Sequence, residues 1–399
     1  MDDRELGSRI AYWRERRGMT QLLLADRIGR SKSWIEKVEA GKRSASRLPI
    51  LQTICEELRI DLPVLIGNDL PRDTRDCIDD TQVELIRASL ERYDGIASQI
   101  PDAFSVDVQR MRRQVSYTWS AFELADYQVV SRTLPDLLLE AQRSHVVTQA
   151  SETASILAEV YQIAASTLRK LGEYQLAWLA ADRGVALAER EGDSIIAALT
   201  GFRVANALMS IGRAKASFDL NVSYASRLQP MLRSDATRSV YGHILLQAAM
   251  AAASGGDATG VRDMIRAAKG VARHVPDHAN HYKLSFGPVN VGLHHVAALV
   301  TLGEGGLAVE ACASIDETGI RALRRERRAT YLIDVARGYS QSGRRGEALE
   351  KLLEAEALAP REVNCRPIAR STIEDLIHRS RGNPSIGLRS LAERSGVTT

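Results

Sequence analysis

Four polar side chains between positions 32 and 37 are spaced so that they share one face of an α-helix. They are Lys32, Ser33, Glu36 and Lys37, and residues three or four positions apart stand on the same side of a helix. Lysine donates to O6 and N7 of guanine, a hydroxyl pairs with either type of base edge, and a carboxylate accepts from N4 of cytosine. This face is therefore predicted to read DNA bases, with Glu36 alternatively a surface charge that holds Lys32 or Lys37 in place.

Residues around this face suit contact with a phosphate backbone. Lys42 and Arg43 follow the predicted helix, Ser31 stands at its start and Trp34 lies in its first turn. Between residues 4 and 47 there are 12 Lys and Arg against 5 Asp and Glu, whereas the whole chain has 53 against 50. A basic surplus confined to one short segment indicates nucleic-acid binding there, and a solvated basic surface explains the charge alone equally well.

Five short helices are needed to position these side chains. The apolar spacing predicts them over residues 4–17, 21–28, 31–41, 48–58 and 62–66, with Thr20 as the N-cap of the second. A small Ala25, Gly29 in the following turn, and inward-facing Ile35 and Val38 are the residues that a steeply crossing helix pair requires. The pattern predicts two crossed helices joined by a tight turn.

This spacing resembles the lambda-repressor-like helix-turn-helix of the Xre family, and Glu39 to Lys42 is similar to that family's ExGK ending. The resemblance covers all five predicted helices and departs from the family pattern at Leu23 and Arg30. It implies that Gln21 contacts a phosphate or the base beside it in a double-stranded DNA operator. One such domain buries roughly 600–1,000 Å² on DNA, so a homodimer on a two-fold site is expected.

The rest of the chain is predicted to be a separate helical domain. A segment rich in Gly, Pro and charges follows the first five helices and marks a boundary. We therefore predict a DNA-binding domain over residues 1–67, a linker over 68–82 and a helical repeat domain over 83–399.

Recurring helix ends indicate that the third segment is an array of helical hairpins. Glycines that close apolar helices stand at Gly172, Gly212, Gly256, Gly303 and Gly343. The clearest unit, residues 331–360, resembles the tetratricopeptide repeat (TPR) pattern, in which each hairpin buries its open face on the next. The predicted fold is all-α, a five-helix lambda-repressor-like domain followed by a TPR-like α-solenoid for sensing and dimerisation. Another α-solenoid or an irregular helical bundle is the alternative.

Two further stretches extend the resemblance over most of the chain. FGPVNV at residues 286–291 and the segment 387–397 are similar to regulators of the actinobacterial type that join an Xre domain to TPRs. The architecture also resembles the peptide-responsive RRNPP group, in which a repeat groove binds a signal peptide. The ligand class of this chain does not follow from the resemblance.

The repeat alignment predicts which side chains line the concave groove. They are polar residues from the first helix of each hairpin: Gln162, Asn206, His243, Asn290, His294 and Arg337. Asparagine can donate to and accept from a peptide backbone, and arginine can hold a carboxylate. Asn206, Asn290 and Arg337 are therefore predicted to sense a peptide, small molecule or partner protein, with ordinary solvated positions as the alternative.

Other patterns argue against catalysis and metal binding. There is no P-loop, GxSxG or HExxH, so no catalytic residue and no cofactor is predicted. His274, His278 and His281 are neighbours in sequence, but Pro276 interrupts their helix, so no metal site is predicted. The absence of a long apolar run, together with four scattered cysteines, predicts a cytoplasmic protein with reduced thiols and no membrane association.

The leading hypothesis is a sequence-specific transcriptional regulator, nucleoid-associated when bound to DNA, whose repeats sense a ligand. The main alternative is an antitoxin- or scaffold-like interaction module, in which the repeats bind a partner protein and DNA binding is secondary. An enzyme with a helix-turn-helix sensor is a third class, which the missing catalytic motifs disfavour.

Overall fold

The computed structural model describes residues 3–17, 19–43, 45, 48–58, 65, 80–92, 105–277, 279–380 and 383–397. These residues form α-helices and short turns without any β-strand, which confirms the all-α prediction. The chain divides into two compact units, Met1–Asp73 and Thr74–Thr399. None of the described helices is long and apolar enough to cross a membrane.

The helices of the first unit follow the predicted bounds closely. They are α1 (Asp3–Arg16), α2 (Gln21–Arg27), α3 (Lys32–Glu39) and α4 (Leu48–Leu58). Oγ1 of Thr20 accepts from the backbone N–H of Leu23 at 3.1 Å, and Oγ of Ser31 accepts from that of Trp34 at 3.2 Å, so both residues are N-caps. Of the predicted fifth helix, only Leu65 lies among the described residues, and it is helical and buried.

Two glycines let the helices of the first unit approach closely. Gly29, in the turn between α2 and α3, has φ of +65°, a left-handed conformation that favours glycine. Gly7 on α1 packs so closely on the end of α3 that a Cβ there would lie 2.1 Å from the carbonyl oxygen of Val38. The apolar faces of all four helices then meet in one small core around Ile10 and Ile35.

The second unit begins with α5, which starts inside the segment predicted as a linker, and continues as a series of helical hairpins. Its helices are α5 (Asp80–Glu91), α6 (Val108–Glu123), α7 (Tyr127–Thr148), α8 (Ser151–Leu171), α9 (Tyr174–Glu191), α10 (Ser194–Ser210), α11 (Ala214–Leu228), α12 (Asp235–Ser254), α13 (Ala258–Ala272), α14 (Pro288–Leu302), α15 (Gly305–Cys312), α16 (Glu317–Ala322), α17 (Arg325–Gln341), α18 (Arg345–Leu358), α19 (Pro360–Asn364), α20 (Pro367–His378) and α21 (Ile386–Arg394).

The hairpins stack as two layers of helices. Helices α6, α8, α10, α12, α14 and α17 pack on one another in turn, and we name them the A helices. Each pairs with the helix that follows it, so that every hairpin covers its neighbour as in an α-solenoid. The five glycines of the repeat alignment each lie between an A helix and its partner and have positive φ, +85° at Gly172, +83° at Gly212, +77° at Gly256, +89° at Gly303 and +76° at Gly343.

The A helices form a closed layer rather than an open row. Helix α17 packs against α6, and the two ends of the array also share hydrogen bonds. Nη1 of Arg361 donates to Oδ1 of Asp126 at 3.1 Å, and its Nη2 donates to Oε1 of Gln128 at 2.6 Å. The A helices therefore form a ring. We use the term inner face for the layer of side chains that these helices share.

The cysteines differ in part from the expectation of reduced thiols. Cys55 and Cys312 are free, whereas Cys365 takes part in a disulfide. Cys77 lies outside the described residues. The prediction was therefore wrong for Cys365.

Candidate functional site

The outward face of α3 presents the four side chains that were predicted to read bases. Lys32, Ser33, Glu36 and Lys37 are exposed, while their neighbours Ile35 and Val38 are buried. Nζ of Lys32 lies 3.2 Å from Oε1 of Glu36, one turn along the helix. An exposed pair of this kind contributes only about 0.3–0.5 kcal/mol, so either side chain is readily released to another partner.

Trp34 does not belong to this outward face. Its side chain is only 8% exposed and packs in the core of the first unit, so the prediction that it contacts a phosphate backbone was wrong. The guanidinium of Arg30 lies 5.7 Å from the indole centroid, a cation–π distance. Arg30, which departs from the family pattern, thus covers the outer edge of this core tryptophan.

Gln21 donates a hydrogen bond to a buried ion pair at the end of α3. Arg14 donates to Glu39 through Nε at 2.6 Å and Nη2 at 3.0 Å, and the side chains are only 9% and 7% exposed. Nε2 of Gln21 donates to the same carboxylate at 2.8 Å. Glu39 therefore links α1, α2 and α3, and it fixes the start of α2 relative to the outward face of α3.

The turn after α3 carries two exposed cations. Lys42 and Arg43 are both exposed, and the backbone N–H of Lys42 donates to the carbonyl of Lys37 at 2.8 Å. Gly41 has φ of +65°, which ends the helix and turns the chain away. The two charges lie just beyond the end of α3, and their contact with a phosphate backbone stays a prediction.

All six predicted groove residues lie on A helices. Gln162, Asn206, Asn290 and His294 are buried, whereas His243 and Arg337 are half-buried. The alternative of freely solvated positions therefore does not describe the first four.

Asn290 and His294 are held by other groups of the inner face. Nδ2 of Asn290 donates to the carbonyl of Leu284 at 3.3 Å, and its Oδ1 accepts from Nε of Arg327 at 2.7 Å. Nδ1 of His294 lies 3.0 Å from Nη2 of Arg327, and its Nε2 lies 3.4 Å from Nε2 of Gln247. The amide of Asn290 is engaged at both ends, which contradicts its predicted role in gripping a peptide backbone.

Arg337 forms an ion pair with a carboxylate of its own helix. Its Nη1 lies 3.1 Å from Oδ1 of Asp334 on the same helix, so its charge is already balanced and the predicted role as a carboxylate clamp is not favoured.

Two other arginines of the inner face, Arg203 and Arg327, were missed by the repeat alignment. Arg203 is the one charged residue in the sequence of α10, and a lone charge in an apolar helix is a signal that could have found it.

The FGPVNV stretch builds the start of α14. Phe286 is fully buried and packs on α12 so tightly that a Cβ on Gly242 would lie 2.0 Å from its ring. Oδ1 of Asp277 accepts from the backbone N–H of Val289 at 2.9 Å. The stretch thereby sets the position of Asn290, and through it that of Arg327.

The two histidines of the inner face make the stability of the protein depend on pH. Burial, with the charges of Arg203 and Arg327, lowers the pKa of His243 to about 3. Burial and Arg327 also lower the pKa of His294 well below its ordinary value. Between pH 6.5 and these values the unfolded chain binds protons that the folded chain does not, so the free energy of unfolding falls as the pH falls, by roughly 1.4 kcal/mol per pH unit for each histidine.

Urea unfolding at pH 7.0, 6.0 and 5.5 measures this dependence. His243→Gln is expected to reduce the slope between pH 6.0 and 5.5, while His378→Gln, at an exposed site on α20, leaves it unchanged. Equal slopes in all three proteins would contradict the assignment to His243.

No group of three or more His, Cys, Asp or Glu side chains that could hold a metal ion occurs in the part of the chain that the structure describes. His278, one of the three neighbouring histidines, lies outside those residues.

Residues 5–64 match the protein family described as a helix-turn-helix domain. No curated protein matches the chain. Among solved structures, the crystal structure of Bacillus thuringiensis PlcR in complex with the peptide PapR7 and DNA is similar over 89% of this chain and 99% of that chain. The identity is 14% and the TM-score 0.32, a level that supports no conclusion about ligand or mechanism. The family match and the stacked hairpins of the second unit together give a helix-turn-helix domain followed by a helical repeat body.

Proposed function

We propose that this chain is a transcriptional regulator of the Xre type that binds a double-stranded DNA operator as a homodimer in the cytoplasm. Its repeat unit takes up a peptide, small molecule or partner protein and thereby changes DNA binding. The protein acts by binding rather than by catalysis, and it uses no cofactor. The observation that carries the proposal is the exposed face of α3, with Lys32, Ser33, Glu36 and Lys37 pointing away from a well-packed helix-turn-helix core.

The charges around α3 support this proposal. Lys32 is paired with Glu36, whereas Lys37 makes no ion pair or hydrogen bond through its side chain among the described residues. Lys42 and Arg43 are exposed beside it. Cations that neutralise phosphates make affinity fall steeply with salt, while the base contacts of the helix face set sequence preference.

The repeat body supports the finer assignment to the actinobacterial, RRNPP-like variety. Its glycine-ended hairpins agree with the resemblance to TPRs, and the FGPVNV stretch has a defined packing role at α14. The polar inner face is where a ligand would be sensed.

Selection of fragments from genomic DNA by the full-length protein, followed by footprinting, tests the proposal. We expect a two-fold symmetric footprint whose affinity falls with salt. Lys37→Ala is expected to weaken binding to the selected fragment by about 1–3 kcal/mol and to relax base preference at each half-site.

Lys215→Ala serves as the matched control, because this lysine is 90% exposed on α11 and pairs only with Asp219 at 3.3 Å. It is expected to leave DNA binding unchanged. Equal losses on selected and random DNA for Lys37→Ala would reassign Lys37 to phosphate binding. Failure to select any fragment would contradict the regulator and favour the interaction module.

A further inference from the structure

Arg203 is a buried cation without a carboxylate partner. Its side chain lies on α10 and only 7% of the residue is exposed. Nε donates to Oγ of Ser166 at 3.0 Å, and Nη1 donates to the carbonyl of Leu199. No carboxylate lies within ion-pair distance of it among the described residues. Burial lowers the pKa of Arg203 to about 9, because desolvation disfavours the charged form.

Aromatic rings hold the Arg203 guanidinium in place. It lies 4.4 Å from the ring centroid of Phe202 and 5.7 Å from that of Trp119. Such contacts stabilise a cation by a modest amount and fix its orientation. They leave its capacity to bind a planar anion unused, since Nη2 donates to no acceptor among the described residues.

Arg327 on α17 is a second arginine of the inner face that has polar partners but no ion pair among the described residues. It donates to Asn290 and lies against His294, and it too has no carboxylate within ion-pair distance among the described residues. Arg327 is half-buried, so it retains contact with solvent inside the ring.

His243 lies between the two arginines. Its ring centroid is 4.8 Å from that of Phe202 and 5.9 Å from that of His294. Nε2 lies 3.1 Å from Nε2 of Gln247, whereas the buried Nδ1 has no hydrogen-bond partner among the residues that the structure describes. A buried polar atom without a partner costs about 1–3 kcal/mol, and an incoming ligand group would satisfy it.

Three of the neighbouring carboxylates are already paired with other cations. Glu326 and Glu362 bind Lys170, and Asp334 binds Arg337. Glu159 affects the pKa of Arg203 but lies beyond ion-pair distance of it. Among the described residues, Arg203 and Arg327 therefore have no carboxylate of their own within ion-pair distance.

We propose that Arg203, His243 and Arg327 form a binding site for an oxygen anion, a carboxylate or a phosphate, carried by the ligand of the repeat unit. The inference rests on the proposed function, because it takes this part of the inner face to be the place where the ligand of the regulator is sensed. An anion here would pair with the buried guanidinium of Arg203 and the half-buried guanidinium of Arg327, and it would give Nδ1 of His243 a partner. Charge-assisted hydrogen bonds of this kind are the strong ones.

Titration of the full-length protein with inorganic phosphate and, separately, with succinate tests the site, with ionic strength held constant by chloride. Binding is followed by calorimetry and by tryptophan fluorescence, because Trp119 adjoins Arg203. We expect saturable binding of at least one anion. Arg203→Gln and Arg327→Gln are expected to weaken it about tenfold or more.

Arg325→Gln is the matched control, since Arg325 lies on the same helix as Arg327 but is exposed; it should leave anion binding unchanged. Saturation by phosphate alone assigns a phosphate ligand, and saturation by succinate alone assigns a carboxylate. If a glutamine variant does not fold, Arg203→Lys, which keeps the charge but loses the planar fork, is expected to weaken binding instead.

Lack of saturation by both anions in the wild-type protein would overturn the site, as would binding that survives the substitutions at Arg203 and Arg327. Fragment selection on the same preparation separates the two proposals. Specific DNA binding without anion binding contradicts only the anion site, whereas anion binding without specific DNA contradicts only the regulator.

Discussion

Glu362→Gln is expected to lower the free energy of unfolding of the repeat unit by about 3–5 kcal/mol, because it removes the carboxylate that pairs with Arg366 and one of the two that pair with Lys170 in a buried cluster. The carboxylate of Glu362 is fully buried. It accepts from Nζ of Lys170 at 2.9 and 3.0 Å and from Nη1 of Arg366 at 2.8 Å, and Tyr127 donates to it through its hydroxyl. Urea unfolding of the full chain, followed by circular dichroism, measures the loss.

The charges of this cluster depend on one another. Burial lowers the pKa of Lys170. Burial alone would raise the pKa of Glu326, but the Lys170 ammonium brings it down to about 2. Lys170→Met is therefore also expected to be strongly destabilising, and the double variant with Glu362→Gln less so than the sum of the two.

Glu189→Gln provides the control for the same chemical change at an exposed pair. Glu189 and Arg227 are 44% and 46% exposed and lie 2.6 Å apart, so the expected loss is at most about 1 kcal/mol. Comparable losses for Glu189→Gln and Glu362→Gln would contradict a special role for the buried cluster.

Arg14→Met is expected to destabilise the helix-turn-helix domain by roughly 3 kcal/mol and to abolish most DNA binding. The substitution leaves the buried carboxylate of Glu39 with Gln21 as its remaining side-chain partner, and an unpaired buried charge is costly. Because α1, α2 and α3 meet at Glu39, the reading face would lose its support. Hydrogen exchange over residues 3–58 measures local stability, and binding to the selected fragment measures function.

Arg27→Met is the matched control in the same domain. Arg27 pairs with Glu57 at 3.3 Å, and these side chains are 46% and 31% exposed. We expect little change in local stability or affinity. If Arg14→Met preserved both hydrogen-exchange protection and DNA binding, the structural role of the Arg14–Glu39 pair would be refuted.

The helix-turn-helix was predictable because its signals are local. Thr20 and Ser31 cap helices by accepting from backbone N–H groups three residues away. Gly29 adopts the left-handed backbone conformation of the turn in which it lies. Local spacing did not reveal that Trp34 faces the core. That depends on how α3 meets the other helices.

Polar residues on the A helices were also found from sequence, but their roles were not. Asn290 and Arg337 have partners that satisfy them, whereas Arg203 has no counter-ion within ion-pair distance in the part of the chain that the structure describes. A sequence pattern places a side chain on a helix face, yet the partner it meets there comes from another helix.

What the sequence determined by itself is therefore the helices, their caps and glycine ends, and the outward face of Lys32, Ser33, Glu36 and Lys37. Tertiary structure decided which charges are paired and that the array closes. Lys170 meets Glu362 across 192 residues, and Tyr127 meets Glu362 across 235. Contacts between residues so far apart in sequence depend on how every intervening hairpin packs on the next. The local spacing of residues does not reveal the combined curvature.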